Sequence, residues 1–185
     1  GGLKYADLDN NGSIDANDQT WIYNPVPDFN WGLNVQLSYK NFDLSMFFQG
    51  VCGVDVYNNQ KFQTDFWSLT DSGSNKGNRL LGAWTQDNTS STIPALTTNN
   101  TGDEGRRSSY FVEHGSWMKL RTLQIGYNFE QSLLKKLHMT SARVYVSGQN
   151  IFTLKSNSFT ISDPENPNWA YPHSSSVSLG LQLSF

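Results

Sequence analysis

Charged side chains are scarce in this sequence. Asp, Glu, Lys and Arg make up 16% of its 185 residues, against roughly 25% in a typical soluble domain. The 16 acidic residues outnumber the 13 basic ones, and the net charge is -3. Because no basic excess is available to hold a phosphate backbone, nucleic acid is excluded as a partner.

Cysteine and long apolar runs are also scarce. The single cysteine, Cys52, cannot form an internal disulfide or build a zinc site. No apolar run approaches the roughly 18 residues that predict a transmembrane helix, and no signal peptide is recognisable. The sequence starts at Gly1-Gly2 without an initiator methionine, as a fragment or a processed product does. Fold and function must therefore be judged from patterning.

The strongest pattern is alternation of apolar and polar residues, which predicts β-strands. It is clearest in VSLGLQLSF at 177–185 and in WGLNVQLSY at 31–39. The stretch NFDLSMFFQG at 41–50 follows the latter after a minimal turn, so the two predict a hairpin. Further strands are predicted in WMKLRTLQIGYNF at 117–129 and in RVYVSGQNIFT at 143–153.

Two irregularities accompany these strands. The apolar residues of 117–129 change from even to odd positions near Arg121-Thr122, which predicts a β-bulge. The connection QSLLKKLHMTS at 131–141 is short, partly basic and predicted to be half-helical.

The connections alternate between short and long. Short ones follow Tyr39 and Phe129, whereas 51–115 and 154–174 are long and rich in Gly, Asn, Ser, Thr and Trp. Outer-membrane β-barrels have short periplasmic turns and long external loops. Strands of 9 to 13 residues and polar faces with few charges favour the same interpretation. We therefore predict an all-β, antiparallel transmembrane barrel segment.

A secreted, calcium-dependent β-sandwich binding module is the alternative, because a sandwich with one buried face also alternates. Five strands cannot close a barrel, since the smallest single-chain barrels have about eight. An open sheet in lipid would leave backbone groups unpaired. Under the barrel interpretation, the chain is therefore expected to be part of a larger protein.

Several stretches, in their order and spacing, resemble the C-terminal end of SusC/RagA-type TonB-linked outer-membrane transporters of the Bacteroidetes. They are GGLKYADLDNNGSID, NPVPDFNWGLNVQLSYKNFDLSMFFQG, FVEHGSWMKLRTLQIGYNF, RVYVSGQNIFTL and YPHSSSVSLGLQLSF. The resemblance implies the last five strands of a barrel of about 22 strands with an N-terminal plug. It does not extend to residues 58–108.

This resemblance also implies a function and its partners. A large nutrient, such as an oligosaccharide or a peptide, would be imported across the outer membrane of a Gram-negative bacterium. The expected partners are a SusD-like surface lipoprotein, TonB through the missing N-terminal region, the barrel-assembly machinery and outer-membrane lipid. The whole chain, 1–185, would be one barrel segment.

Counting strands back from Phe185 assigns the two sides of the membrane under this resemblance. Residues 1–29, 51–115 and 154–174 become extracellular loops. The hairpin 30–50, the two strands of 116–153 and the final strand 175–185 form the wall. The alternating apolar residues of that final strand also resemble the signal read by the assembly machinery; they are Val177, Leu179, Leu181, Leu183 and Phe185.

Residues 7–18, DLDNNGSIDAND, have the spacing of a calcium-binding EF-hand loop. The predicted ligands are Asp7, Asp9, Asn11, the carbonyl of Ser13, Asp15 and Asp18, with Gly12 at the required turn. The flanking helices of an EF-hand are missing, however, and a metal-free Asn-Gly turn is the other interpretation. We expect an external loop that is stabilised by Ca²⁺ or by its own turns.

No catalytic motif is present. The three histidines are dispersed, and the signatures HExxH, GxSxG and the phosphate-binding glycine loop are missing, so we predict that the protein is not an enzyme. Aromatic rings in the loops can stack on apolar sugar faces. The candidates for substrate contact are Tyr57, Trp67, Trp84 and Trp169.

Overall fold

The computed structural model describes residues 1–66, 75–100, 102–167 and 171–185. These residues form two compact units. The first, here called the loop unit, consists mainly of Gly1–Asn24 and Val56–Glu113. The second, the sheet unit, consists of Pro25–Asp55, His114–Asn166 and Tyr171–Phe185.

A five-stranded antiparallel sheet forms most of the sheet unit. Its strands are β1 (Phe29–Tyr39), β2 (Phe42–Cys52), β5 (Trp117–Asn128), β6 (Ser141–Lys155) and β7 (Ser176–Ser184), adjacent in that order. Every strand begins and ends within two residues of its predicted position. The predicted hairpin is confirmed, because β1 and β2 pair from Tyr39–Phe42 to Phe29–Cys52.

The remaining elements are short. Strands β3 (Asp55–Tyr57) and β4 (Val112–His114) pair with each other. The helices are α1 (Asn59–Thr64), α2 (Gln131–Lys136) and three 3₁₀ turns at Ala16–Asp18, Asn78–Gly82 and Ser109–Phe111. Helix α2 confirms the predicted half-helical connection. Among the described residues, no helix has the length and apolar character needed to cross a membrane.

The two faces of the sheet differ in polarity across all five strands. Strand register places one apolar residue of each strand in a continuous row: Leu37, Leu44, Ile125, Val146 and Leu179. The neighbouring row on the opposite face is uncharged and polar: Gln36, Ser45, Gln124, Ser147 and Ser178. Alternation within each strand is therefore matched between strands, which gives one apolar face and one polar face.

The apolar face is exposed. Leu179 is 76% exposed and Leu181 is 63% exposed. A β-sandwich would bury such a face against a second sheet. Among the described residues, only the end of this face beside Ala142 is covered, and the rest is left exposed, as in a sheet that borders lipid.

The predicted β-bulge is confirmed at Arg121. Phe47 of β2 pairs with Thr122, but the next residue, Phe48, pairs with Leu120, so Arg121 has no partner in β2. The register between β5 and β6 shifts at the same place. The extra residue directs the Arg121 side chain toward the polar face, where its Nε donates a hydrogen bond to Gln49.

The loop unit has an apolar core of its own, which its composition did not indicate. Phe111 is fully buried, and the rings of Tyr57, Phe62, Phe66 and Tyr110 lie 5.3 to 5.8 Å from it, centroid to centroid. The segment 51–115, expected as a long loop, therefore includes a packed aromatic cluster.

Buried polar groups of this core are paired. The Asp65 carboxylate accepts a hydrogen bond from the Tyr110 hydroxyl at 2.6 Å and lies 3.4 Å from Arg79. Burial and this carboxylate raise the pKa of Tyr110. Glu113 lies 3.3 Å from Lys61 and accepts a hydrogen bond from the Asn58 side chain at 3.1 Å. Such pairing offsets the cost of burying charge.

Candidate functional site

The calcium-like loop brings three of its predicted ligands together. One carboxylate oxygen from each of Asp7, Asp9 and Asp18 lies within 4.8 Å of the others. The chain can bend this tightly because Gly12 has φ 83° and Asn10 has φ 59°, values in the left-handed region that Gly and Asn tolerate best. The fold therefore brings together three of the six predicted ligands.

Backbone amides also stabilise this cluster. Gly12 N donates to Asp7 at 2.8 Å, and Leu8 N and Asp15 N donate to the two oxygens of Asp18 at 2.7 and 2.8 Å. Hydrogen bonds from Asp15 and Leu8 lower the pKa of Asp18. Asp18 thus closes a capping box on the turn Ala16–Asp18, a role that the predicted ligand set did not include.

The donors fit a hard cation in chemistry. Every predicted ligand offers oxygen, which Ca²⁺ prefers. The Asn11 amide nitrogen donates to Asp9 at 2.9 Å and to Asp15 at 3.4 Å. The Asn11 side-chain oxygen accepts from Ser13 N.

A cavity lies beside the calcium-like loop within the loop unit. Its volume is about 1030 Å³, and its lining includes Leu8, Ile14, Tyr23, Arg106 and Arg107. Arg106 pairs with Asp103 and donates to the carbonyl of Ile14. The cavity therefore combines an apolar lining with guanidinium groups.

Of the four aromatic residues predicted to contact the substrate, the structure describes two, Tyr57 and Trp84. Trp67 and Trp169 lie outside the described residues. Tyr57 is half-buried, with ring centroids 6.1 Å from Tyr23 and 5.6 Å from Phe111. Trp84 is half-buried too, and its ring covers Gly1 so closely that a Cβ there would lie 2.5 Å away. Both rings contribute to packing within the loop unit.

A buried ionic cluster in the sheet unit was not predicted. Lys119, on the polar face of β5, is 2% exposed, and its ammonium lies 2.7 Å from Asp163 and 2.5 Å from Glu165. Arg121 also pairs with Glu165, and His173 Nδ1 lies 2.9 Å from Asp163. These contacts attach the segment after β6 to the polar face of β5. The sequence signal that could have indicated this cluster is Lys119, a charged residue within an alternating strand.

The cations explain the acidity of this cluster. Burial alone would raise the pKa of Asp163, but hydrogen bonds from Lys119 and from the backbone of His173 and Glu165 outweigh it and lower that pKa. Burial would also raise the pKa of Glu165, but hydrogen bonds from Lys119 and Arg121 outweigh it and lower that pKa. Asp163, Glu165 and His173 are close enough to hold a metal, but Lys119 and Arg121 already neutralise the two carboxylates.

The predicted assembly residues lie on one face of β7. Val177, Leu179 and Leu181 pair with the apolar-face positions Gly148, Val146 and Val144 of β6. Leu183 pairs with Ala142, and Phe185 follows the end of the strand with 84% exposure. The five residues therefore form a continuous exposed apolar edge.

Comparison with known proteins connects these features to a group of membrane receptors. No protein-family model matches the chain. It is 34% identical to TonB-dependent receptor P3 of Formosa agariphila, over all of this chain and 19% of that protein. It is 30% identical to TonB-dependent receptor SusC of Bacteroides thetaiotaomicron, over 98% of this chain and 17% of SusC.

Solved structures agree with these relatives. A chain of the RagAB peptide transporter matches with a TM-score of 0.77 and 26% identity, covering 94% of this chain and 19% of that one. The RagAB peptide importer in an open-open state matches with a TM-score of 0.75. The chain spans about a fifth of the length of the proteins it matches.

Proposed function

Because this chain corresponds to a segment of a SusC/RagA-type TonB-dependent receptor of the Gram-negative outer membrane, we propose that it forms part of the wall and external loops of a nutrient importer. The observation that carries the proposal is the exposed apolar row that crosses all five strands opposite an uncharged polar row. Lipid would contact the first row, and the barrel interior would lie against the second.

In this proposal the cargo is a large nutrient, either an oligosaccharide or a peptide. A SusD-like lipoprotein would close over the external loops, and TonB would supply energy through parts of the receptor outside this chain. The similarity to a chain of the RagAB peptide transporter supports the peptide class, and the oligosaccharide class rests on the sequence resemblance to SusC/RagA-type transporters. Tyr57 and Trp84, with Trp67 and Trp169, remain the candidate aromatic contacts for the cargo.

The five apolar residues of 177–185 are proposed as the signal for the barrel-assembly machinery. Their support is the unbroken exposed edge on β7. No catalytic role is proposed.

Deletion and complementation test the import function. A strain without the full-length gene should lose uptake of one oligosaccharide or peptide class and regain it on complementation. The full-length receptor, purified with its lipoprotein, should retain a ligand of that class by native mass spectrometry. Unchanged uptake of every nutrient in the deletion strain, together with recovery of the receptor in the soluble fraction, would contradict the proposal.

We also propose that the loop 7–18 binds Ca²⁺ weakly on the external side. The support is the carboxylate cluster of Asp7, Asp9 and Asp18 and the oxygen-only donor set. Asn11, the Ser13 carbonyl and Asp15 would complete the ligands. Asp18 already accepts two backbone amides, so we expect a dissociation constant of about 10⁻⁴–10⁻³ M, as in extracellular calcium modules.

Calorimetry on the full-length receptor tests the calcium proposal. The double variant Asp7→Asn/Asp9→Asn should lose the heat of Ca²⁺ binding, whereas Asp87→Asn, an exposed control in the same unit, should keep it. Equal heats for the two variants would place any calcium elsewhere. No heat in the unmodified receptor would show that hydrogen bonds alone hold the loop.

A further inference from the structure

The end of the sheet that carries the short turns has a basic and apolar surface. We call it the turn surface and define it by Lys40, Leu133, Lys135, Lys136 and Leu137. All five side chains are exposed, with Leu133 at 43% and Leu137 at 55%. The roles proposed for the wall and the external loops do not explain why leucines and lysines are exposed side by side on and next to the six-residue helix α2.

The two turns that carry this surface lie at the same end of the sheet. Asn128 N, just before the second turn, donates a 2.8 Å hydrogen bond to the carbonyl of Asn41 in the first. Phe42 pairs with Tyr127 in the strand register. Lys40 and helix α2 are therefore neighbours in the folded sheet unit rather than separate features of the sequence.

Aromatic rings cluster at this end of the sheet. The Phe42 and Tyr127 rings lie 4.9 Å apart, the Tyr127 and Phe129 rings lie 5.3 Å apart, and Tyr39 pairs with Phe42. Aromatic girdles of barrels sit at the level of lipid headgroups. Residues immediately beyond the girdle, such as Lys40 and those of α2, then lie at the level of the phosphates.

Burial indicates that α2 covers the apolar side of this end. Ala142 belongs to the apolar face, since it pairs with Leu183 and lies two residues before Val144. It is nevertheless only 8% exposed. Leu134 of α2 is also buried, and α2 lies against β6. The turn surface is thus continuous with the lipid-facing side of the sheet.

The charge of the surface is positive. Among the described residues, Lys40, Lys135 and Lys136 form no ion pair with a carboxylate, and Lys40 lies 5.4 Å over the Tyr39 ring. The nearby acidic groups are Glu130, which is exposed, and Asp43, which pairs with Arg143. The surface therefore carries three ammonium groups, and the exposed Glu130 carboxylate beside α2 accepts a hydrogen bond from the Ser132 hydroxyl.

We propose that the turn surface binds anionic phospholipid in the periplasmic leaflet of the outer membrane. Leu133 and Leu137 insert between acyl chains, while Lys40, Lys135 and Lys136 bind the headgroup phosphates. Basic residues beside a membrane contribute about fivefold each to binding of an anionic surface. The inference rests on the proposed function, because it needs a membrane-embedded receptor with its short turns on the periplasmic side.

Lipid titration of the full-length receptor in phosphatidylcholine nanodiscs tests this site. Phosphatidylglycerol is added, and the lipid retained per receptor is counted by native mass spectrometry. The variant Lys135→Gln/Lys136→Gln should bind phosphatidylglycerol roughly 25-fold more weakly. The control Lys4→Gln/Arg107→Gln removes two exposed charges from the loop unit and should bind it unchanged.

A second variant, Leu133→Ser/Leu137→Ser, tests insertion and should weaken retention of both lipids. Equal phosphatidylglycerol binding by the lysine variant and the unmodified receptor would overturn the lipid site while leaving the import proposal intact. Failure of the unmodified receptor to enter nanodiscs would instead contradict the import proposal. Equal losses in the lysine variant and the loop control would show general charge attraction and would also overturn the site.

Discussion

The sheet unit and the loop unit place their apolar side chains in opposite ways. Leu179 and Leu181 project from the sheet, whereas Phe66, Phe111 and Leu80 are buried inside the loop unit. The same hydrophobic effect explains both arrangements if the sheet has lipid as its solvent and the loop unit has water. Exposure of an apolar residue must therefore be judged against the solvent of its own unit.

The largest expected effect comes from breaking the core of the loop unit. Phe111→Ala removes the ring around which the aromatic cluster packs and should destabilise that unit by about 3–5 kcal/mol. Hydrogen exchange in the full-length receptor should show faster exchange in 56–66 and 108–113 while the sheet stays protected. Leu96→Ala, at an exposed site, is the matched control and should change stability by less than about 0.5 kcal/mol. Loss of protection throughout the sheet would contradict two separate units.

Removing one charge tests the buried ionic cluster of the sheet unit. Lys119→Met leaves Asp163 and Glu165 without their shared ammonium and should destabilise the attached segment by about 3–5 kcal/mol. Protease cleavage between 156 and 166 should accelerate in the variant. Lys4→Met, which alters an exposed lysine, should leave cleavage unchanged. Phe159 and Ile161 of this segment are buried, and slow cleavage in Lys119→Met would mean that their packing alone holds the segment.

A charge insertion tests the difference between the two faces. Leu181→Arg places a cation on the apolar face and should cost about 2–4 kcal/mol if the site lies near the bilayer midplane. Gln182→Arg places the same cation one residue away on the polar face and should cost much less. Unfolding by denaturant in lipid vesicles gives both values. Equal costs would remove the distinction between the faces.

The smallest expected effect is on pH dependence. The pKa values of Asp163 and Glu165 are lowered in the folded state. Their stabilising contribution is therefore complete above the ordinary carboxyl pKa of about 4 and is lost as the pH falls below it. Hydrogen exchange of 156–166, divided by the intrinsic exchange rate at each pH, should rise only in this acidic range, and release near neutral pH would contradict the ion pairing.

The two units also differ in how far their sequences predicted them. Alternation is a local signal, so the strands and the bulge at Arg121 were predicted from neighbouring residues. The core of the loop unit depends on pairs far apart in sequence, such as Asn58 with Glu113 and Lys61 with Tyr110. Its helices are too short to show a period. Sequence pattern therefore described the wall and left the loop core undetected.

The candidate site shows the same division. Spacing predicted that Asp7, Asp9 and Asp18 meet, because all three lie within one turn-rich stretch. It did not predict that both oxygens of Asp18 accept backbone amides, since a carboxylate at that position can cap a turn or bind a cation. The cluster of Lys119 with Asp163 was undetected because 44 residues separate the partners.

Spin labelling of β7 tests the central claim, that this sheet is a membrane wall, most directly. Single cysteines would replace Ser178, Leu179, Leu181 and Gln182 in turn, in a full-length Cys52→Ser receptor reconstituted in lipid vesicles; Gly180 is left unchanged because the Tyr145 ring covers it. Labels at 179 and 181 should be accessible to oxygen dissolved in lipid, and labels at 178 and 182 to a water-soluble nickel reagent. Equal access to the nickel reagent at all four positions would contradict the account.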